Sequence, residues 1–225
     1  MRTGWRALAA LALALFAMQA LGQDRAVVRM EFSNPGQTPA RWTLVVYSDG
    51  SGHFRTERGR AAAESQEFAD SPKPEAPDQN RDIRLSARFA QRVFETARNH
   101  RWFNEECESH MKVAFQGWKK LSYAGPEGKG SCEFNYSRDK EIERLGESLE
   151  AVAATVLEGA RLEKLLLHDR LGLDKEMEYL MSASGDGEVQ QLCAIRAILE
   201  RVAEDPAVME RVRKRAKALL AKPEE

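Results

Sequence analysis

Cysteine, histidine and net charge are all scarce in this chain, whose 225 residues hold three Cys, four His and a formal charge of −1 at pH 7. So little excess charge gives no general attraction to polyanions, which excludes nucleic acid or an anionic membrane surface as the expected partner. Nor do three cysteines and four scattered histidines supply the two close ligand pairs of a structural zinc site, so neither metal nor cofactor is expected. Long apolar runs are lacking too. The one extended uncharged apolar stretch, Ala7 to Ala20, falls short of the roughly 20 residues that a membrane-spanning helix needs. Beyond Tyr136 the only aromatic residue is Tyr179, a compositional shift that divides the chain into two structural halves.

The apolar stretch has another use. Arg2 and Arg6 precede it, and small residues bound it at Ala20-Leu21-Gly22 before polar text begins at Gln23. That layout reads as a secretory signal peptide, residues 1–22, with cleavage near Gly22/Gln23; an uncleaved N-terminal anchor is the other reading. With no Cys nearby, a lipid-anchored form is not expected. The mature chain is then periplasmic or secreted and has no integral membrane span.

From residue 26 the text alternates apolar and polar residues, the period-2 signature of half-buried strands. "AVVRMEFS" puts Val28, Met30 and Phe32 on one face, and "RWTLVVYS" does the same with Trp42, Leu44 and Val46. Asp49-Gly50 is a hairpin signal, because glycine adopts the positive φ of a tight turn at no steric cost. A strand from His53 to Arg58 completes a three-stranded meander. The proline-rich "SPKPEAPDQN" reads as an exposed loop, and "DIRL" as a short strand. Leu85, Phe89, Val93 and Ala97 then recur every four residues, predicting an amphipathic helix capped by Ser86 that covers the sheet. In "MKVAFQGWKKLSYAGPEGKGSCEFNY", Met111, Val113 and Phe115 alternate before a Gln-Gly turn, and a second meander is predicted. From Asp139 the period lengthens to that of a helix, with Ile142, Leu145, Leu149, Val152 and Val156 on one seam. Asp174 is expected to cap a shorter helix. A stripe from Val189 to Val202 and an N-cap at Asp205-Pro206 predict an antiparallel pair to finish. The fold class is α+β: an antiparallel sheet domain over 23–138, covered by one helix, then a helical region over 139–225.

Oxidising compartments convert suitably placed cysteines to disulfides, and Cys107 and Cys132 are the expected pair. On the predicted meander they arrive one strand apart, about 10 Å and beyond bridging distance, so the segment before Met111 must fold back. Cys107 and His110, with Glu106 or His100, form the competing reading as metal ligands or a nucleophile–base pair. Cys193 reads as a buried thiol or as an intermolecular disulfide partner. "GPEGKGS" has the wrong spacing for a phosphate loop and reads as a hairpin. His53 and His168 read as solvated, Glu105, Glu106 and Glu108 as an exposed acidic segment, and "ERVRKRAK" as cations suited to a helix C-terminus.

Gly36, Pro39, Trp42, Asp49, Gly50 and Phe54 in "GQTPARWTLVVYSDGSGHF" resemble the opening hairpin of a family of uncharacterised exported bacterial proteins. Those proteins read Gly-x-Cys-Pro, an aromatic, alternating apolars and Asp-Gly. The order that follows, a helix ending in "WFN" and a Lys-containing hairpin, is also similar. Thr38 stands where that family often has Cys, so its disulfide is not expected here. The resemblance implies a fold rather than an activity. The last two helices resemble a HEAT-type pair, a shape used for protein contacts. The function expected is a non-catalytic binding or scaffolding module that contacts another envelope protein, with Trp102, Phe103 and Trp118 as candidate contact residues. The alternative is a hydrolase using His100, Glu106 or His110.

Overall fold

A computed structural model describes residues 25–57 and 78–223; the stretch read as a signal peptide, residues 1–22, and most of the proline-rich stretch lie outside the described residues. Six antiparallel strands form one sheet: β1 (Val27–Ser33), β2 (Arg41–Tyr47), β3 (Ser51–Glu57), β4 (Asn80–Arg84), β5 (Trp118–Gly125) and β6 (Gly128–Phe134). Their order across the sheet is β4-β3-β2-β1-β5-β6. The first meander is therefore as read, and β5 joins it by pairing with β1, Met30 opposite Leu121. Gly50 turns the β2–β3 hairpin with φ of +80°, and a Cβ there would stand 2.7 Å from the Leu85 carbonyl oxygen.

Alternation sorts the sheet into two faces. Val28, Met30, Leu44, Val46, Phe54, Leu121, Tyr123 and Phe134 are buried on one of them. Helix α1 (Ala87–Asn99) lies on that face through Phe89, Val93, Phe94 and Ala97. Ser86 caps it as expected, its hydroxyl accepting from the Phe89 amide at 3.2 Å. Helix α2 (Lys140–His168) begins where Asp139 accepts from the Glu141 and Ile142 amides. The seam from Ile142 to Val156 joins the sheet core, so two helices cover the sheet, not one.

Past Val156 the same helix enters a second core. Leu162 and Leu166 pack with α3 (Gly172–Asp186), α4 (Arg196–Glu204) and α5 (Glu210–Leu220). Gly159 marks the passage, because a Cβ there would collide with the Ile195 side chain. Burial of this apolar set, at roughly 25 cal/mol per Å², is the main stabilisation of the helical layer.

Four local expectations are corrected. Met111 to Phe115 is not a strand, since both edges of β5 are taken by β1 and β6. Asn135 ties the segment instead, its side-chain oxygen accepting from Gln116 N at 2.7 Å and its side-chain nitrogen donating to Ala114 O at 3.2 Å. Asp174 is not a cap but lies in the first turn of α3, where it pairs with Arg211 at 2.7 Å and Arg215 at 2.6 Å. Asp205-Pro206 makes a turn, its carboxylate accepting from Ala207 N; α5 starts later, after Met209. The stripe from Val189 begins with a 3-10 turn over Leu192–Ile195 and becomes α-helical only at Arg196.

Candidate functional site

The side of the sheet away from the helices carries the other parity: Arg29 and Glu31 on β1, Thr43 and Val45 on β2, His53 and Arg55 on β3, Lys120 on β5 and Glu133 on β6. Register places Glu133, Lys120, Glu31, Thr43 and Arg55 in one row across five strands. Opposite charges opposed in this way stabilise a sheet modestly and leave it polar. Lys120 lies 3.1 Å from Glu133, which with Glu31 raises the ammonium pKa above its ordinary value. His53 is held by Asp82 at 2.9 Å and Asn80 at 2.6 Å. A depression of about 670 Å³ lies along this face and reaches Trp118 at one end.

Beside that end runs the segment that sequence alternation mistook for a strand. Met111, Val113, Phe115 and Trp118 are 49, 37, 52 and 50% exposed, and Phe115 meets Trp118 edge to face at 6.2 Å. Four large apolar side chains stand exposed within one short segment, and exposed apolar surface of this kind marks contact sites. Of the three candidate contact residues, only Trp118 belongs to this surface. Phe103 is fully buried in the sheet core, which removes it as a contact. Trp102 is half-buried and stacked on Tyr123 at 4.4 Å. Both are placed by a turn in which Arg101, Trp102 and Phe103 all take left-handed φ, 50, 61 and 63°.

Cys107 and Cys132 form a disulfide with Cα atoms 5.7 Å apart. The predicted strand before Gln116 does not intervene, and Ser109 N donates to Tyr136 O at 2.9 Å as the chain folds back past the end of β6. Closing a loop across this sequence separation of 25 stabilises by roughly 3–4 kcal/mol in the chain-entropy model.

The side chains of the alternative reading do not form a catalytic group. His100 caps α1 and meets Glu105 through Nδ1 at 2.8 Å and Glu141 through Nε2 at 3.3 Å, with Asp139 at 3.8 Å. Burial alone would lower the imidazole pKa, but these three carboxylates overcome it and raise it. Held at both ring nitrogens by carboxylates on either side, His100 is a clip between α1 and α2. Glu106 instead lies 3.8 Å from His110, and both are about three-quarters exposed. Among the described residues no group of three or more His, Cys, Asp and Glu side chains is arranged to hold a metal ion.

Two buried ionic groups escaped the reading of the sequence. Lys119 is 1% exposed and sits 3.2 Å from Glu150 and 3.7 Å from Glu143, over the Phe134 ring. Its signal was parity, since Lys119 shares a face with Leu121 and Tyr123. Glu176 is 5% exposed beside Glu158 and pairs with Arg161 at 2.7 Å. Its signal was likewise position, as Leu173, Glu176, Met177 and Leu180 lie on one stripe of α3. The third cysteine, Cys193, is half-buried on a 3-10 turn. No protein-family model matches the chain, and no curated protein matches it either.

Proposed function

We propose that this protein is an exported, non-catalytic binding or scaffolding module of the periplasm or the extracellular space. It contacts another envelope protein through the open sheet face and the Met111–Trp118 segment. The observation that carries this reading is the exposed apolar ribbon beside a depression on a mixed-charge face. A partner segment with apolar side chains for Phe115 and Trp118, and alternating charges for the row from Glu133 to Arg55, would bury both surfaces together. Aromatic anchors of this kind dominate interface energies. Export supports the reading through the disulfide, which persists in oxidising compartments, and no helix among the described residues is long and apolar enough to cross a membrane. Cleavage after Gly22 and the likeness to exported hairpin proteins belong to the same proposal.

The test is photocrosslinking in the native envelope from a reactive residue placed at Lys112, between the exposed side chains. A discrete crosslinked partner is expected with the otherwise native chain, and its loss in Phe115→Ala/Trp118→Ala. A crosslink that persists unchanged in the double variant would remove the ribbon from the interface.

A further inference from the structure

A groove of about 390 Å³ runs between helix α2 and the end of the sheet where β1 passes to β2. Its wall is mainly apolar, with Phe32 of β1 and Trp42 of β2 on the sheet side and Ala154 and Leu157 on the helix side. The two rings stack on each other at 5.0 Å and are almost fully buried, so the packing of the sheet core fixes them in place. Alanine at 151, 153 and 154 keeps this stretch of α2 slim, which leaves the space beside the rings open.

The acidic part of the lining outweighs its one cation. Glu147 and Glu150 come from α2, one turn apart, and Glu188 from the chain just after α3. Glu147 and Glu188 are exposed and have no ion pair among the described residues. Lys119 is the single Lys or Arg in the lining, and its ammonium is engaged elsewhere. Its Nζ donates to Asn135 O at 3.3 Å and lies 3.2 Å from Glu150 and 3.7 Å from Glu143. Two carboxylates therefore answer this cation before Glu147 and Glu188 are counted. Burial raises the Glu150 pKa, Lys119 opposes the rise, and Glu143 and Glu147 add to it, as negative neighbours of a carboxyl do. A cation in the groove meets carboxylates and aromatic surface in one space, and it is attracted by both, through charge-assisted hydrogen bonds and through the ring quadrupole. The volume, the apolar wall and the few polar groups suit a small molecule.

We propose that this groove binds a small amphipathic organic cation, a primary ammonium on a hydrocarbon or aromatic body. Glu147 and Glu188 hold the ammonium, and the body lies against Phe32, Trp42 and Leu157. The site does not rest on the docking role of Phe115 and Trp118, neither of which lines it.

The probe is phenethylammonium, titrated into the purified protein and followed by backbone amide and indole NMR shifts. One saturable site is expected, with shifts at the Trp42 indole and at Ala154 and Leu157. Affinity falls about tenfold or more in Glu147→Gln/Glu188→Gln and falls with added NaCl. It is weaker by a similar factor for phenethyl alcohol, which has the same body without the charge. Both glutamates are exposed, so the double variant keeps the wild-type thermal transition. Phe115→Ala/Trp118→Ala leaves probe binding unchanged while it removes the envelope crosslink, so failure of this site and failure of the docking face are told apart. Wild-type affinity in the Glu147/Glu188 double variant, equal affinity for the neutral alcohol, or shifts confined to residues outside the groove would each overturn the proposal. So would the absence of saturable uptake up to about 10 mM, the affinity that ordinary ligand efficiency gives a molecule of this size.

Discussion

Helix α2 carries ionisable side chains toward both cores, and the two sets meet different company. On the sheet side, Glu143 and Glu150 face Lys119, and Glu143 also accepts from the Ser137 amide at 2.7 Å. On the helical side, Glu158 faces another carboxyl, Glu176, and its Oε2 is buried with no hydrogen-bond partner among the described residues. Opposite charges in the first place hold an edge of the sheet to the helix. In the second, burial and then the neighbouring Glu176 hold the Glu158 carboxyl well above the usual carboxylate range. The contrast shows that one helix can be fastened at its first half by opposite charges and at its second beside a titratable carboxyl.

The largest effect expected from breaking the contrast is at Lys119. Lys119→Ala leaves Glu143 and Glu150 without their cation and opens a hole against Phe134, and removal of one partner from a buried pair costs about 3–5 kcal/mol. Urea denaturation at neutral pH measures it. Because burial already raises the Glu150 pKa against the opposing pull of Lys119, the variant should recover part of its loss at acidic pH, where the Glu150 carboxyl takes up a proton. A loss that does not depend on pH would mean that packing alone holds Lys119 in place.

Glu158→Gln is the sharper case on the other side. Burial, then the neighbouring Glu176, lifts the Glu158 pKa from 4.5 to about 8. A carboxyl raised in the folded state keeps its proton while the unfolded chain has lost it. Its contribution is therefore full below about 4.5, declines between 4.5 and 8, and stays low above. Across that window the wild type should lose on the order of 3 kcal/mol from this pair. Glutamine cannot ionise and can donate to Glu176, so the variant should be more stable than wild type at pH 9 and keep only a shallower decline. Glu150, raised by burial, contributes to that remainder together with His100. The raised pKa of His100 means its stabilisation is complete below 6.5 and lost as pH rises through the folded-state value. Adding His100→Gln should flatten the profile further. An unchanged slope in Glu158→Gln would refute the raised Glu158 carboxyl as the source of the decline.

How much of this was legible follows from which signals are local. Period-2 text placed Val28, Met30, Trp42 and Leu44 on the core face correctly, and Ser86 and Asp139 announced their helices, because strand parity and capping act within a few residues. The same parity misled at Met111, Val113 and Phe115. Alternation gives the orientation of side chains but not whether a neighbouring strand is there to pair with, and β5 has β1 and β6 beside it. Lys119 and Glu176 were readable as charges on apolar stripes, yet their partners on α2 were not, since those contacts depend on how α2 lies across both layers. The groove between Trp42, Glu147 and Glu188 was illegible for the same reason: the sheet, α2 and the end of α3 must pack before it exists.

The smallest effect expected lies in the turn that delivers Phe103 to the sheet core and Trp102 to Tyr123. Arg101, the first of its three left-handed residues, has φ of 50° and an exposed side chain whose one ion pair, to Glu105, is 3.6 Å long. An L side chain in the left-handed region costs about 1–2 kcal/mol relative to glycine. Glycine in turn loses about 0.5–1 kcal/mol more backbone entropy on folding. The difference favours Arg101→Gly by up to about 1.5 kcal/mol, whereas Phe103→Gly would relieve a similar strain and lose far more through the cavity left in the sheet core. The pair of variants, compared by thermal unfolding, separates backbone strain from side-chain placement. If Arg101→Gly lowers the transition, the turn is held by the Arg101–Glu105 contact and the chain resists straightening there. If it raises the transition, the strained backbone is tolerated for the position of Phe103, whose burial outweighs it.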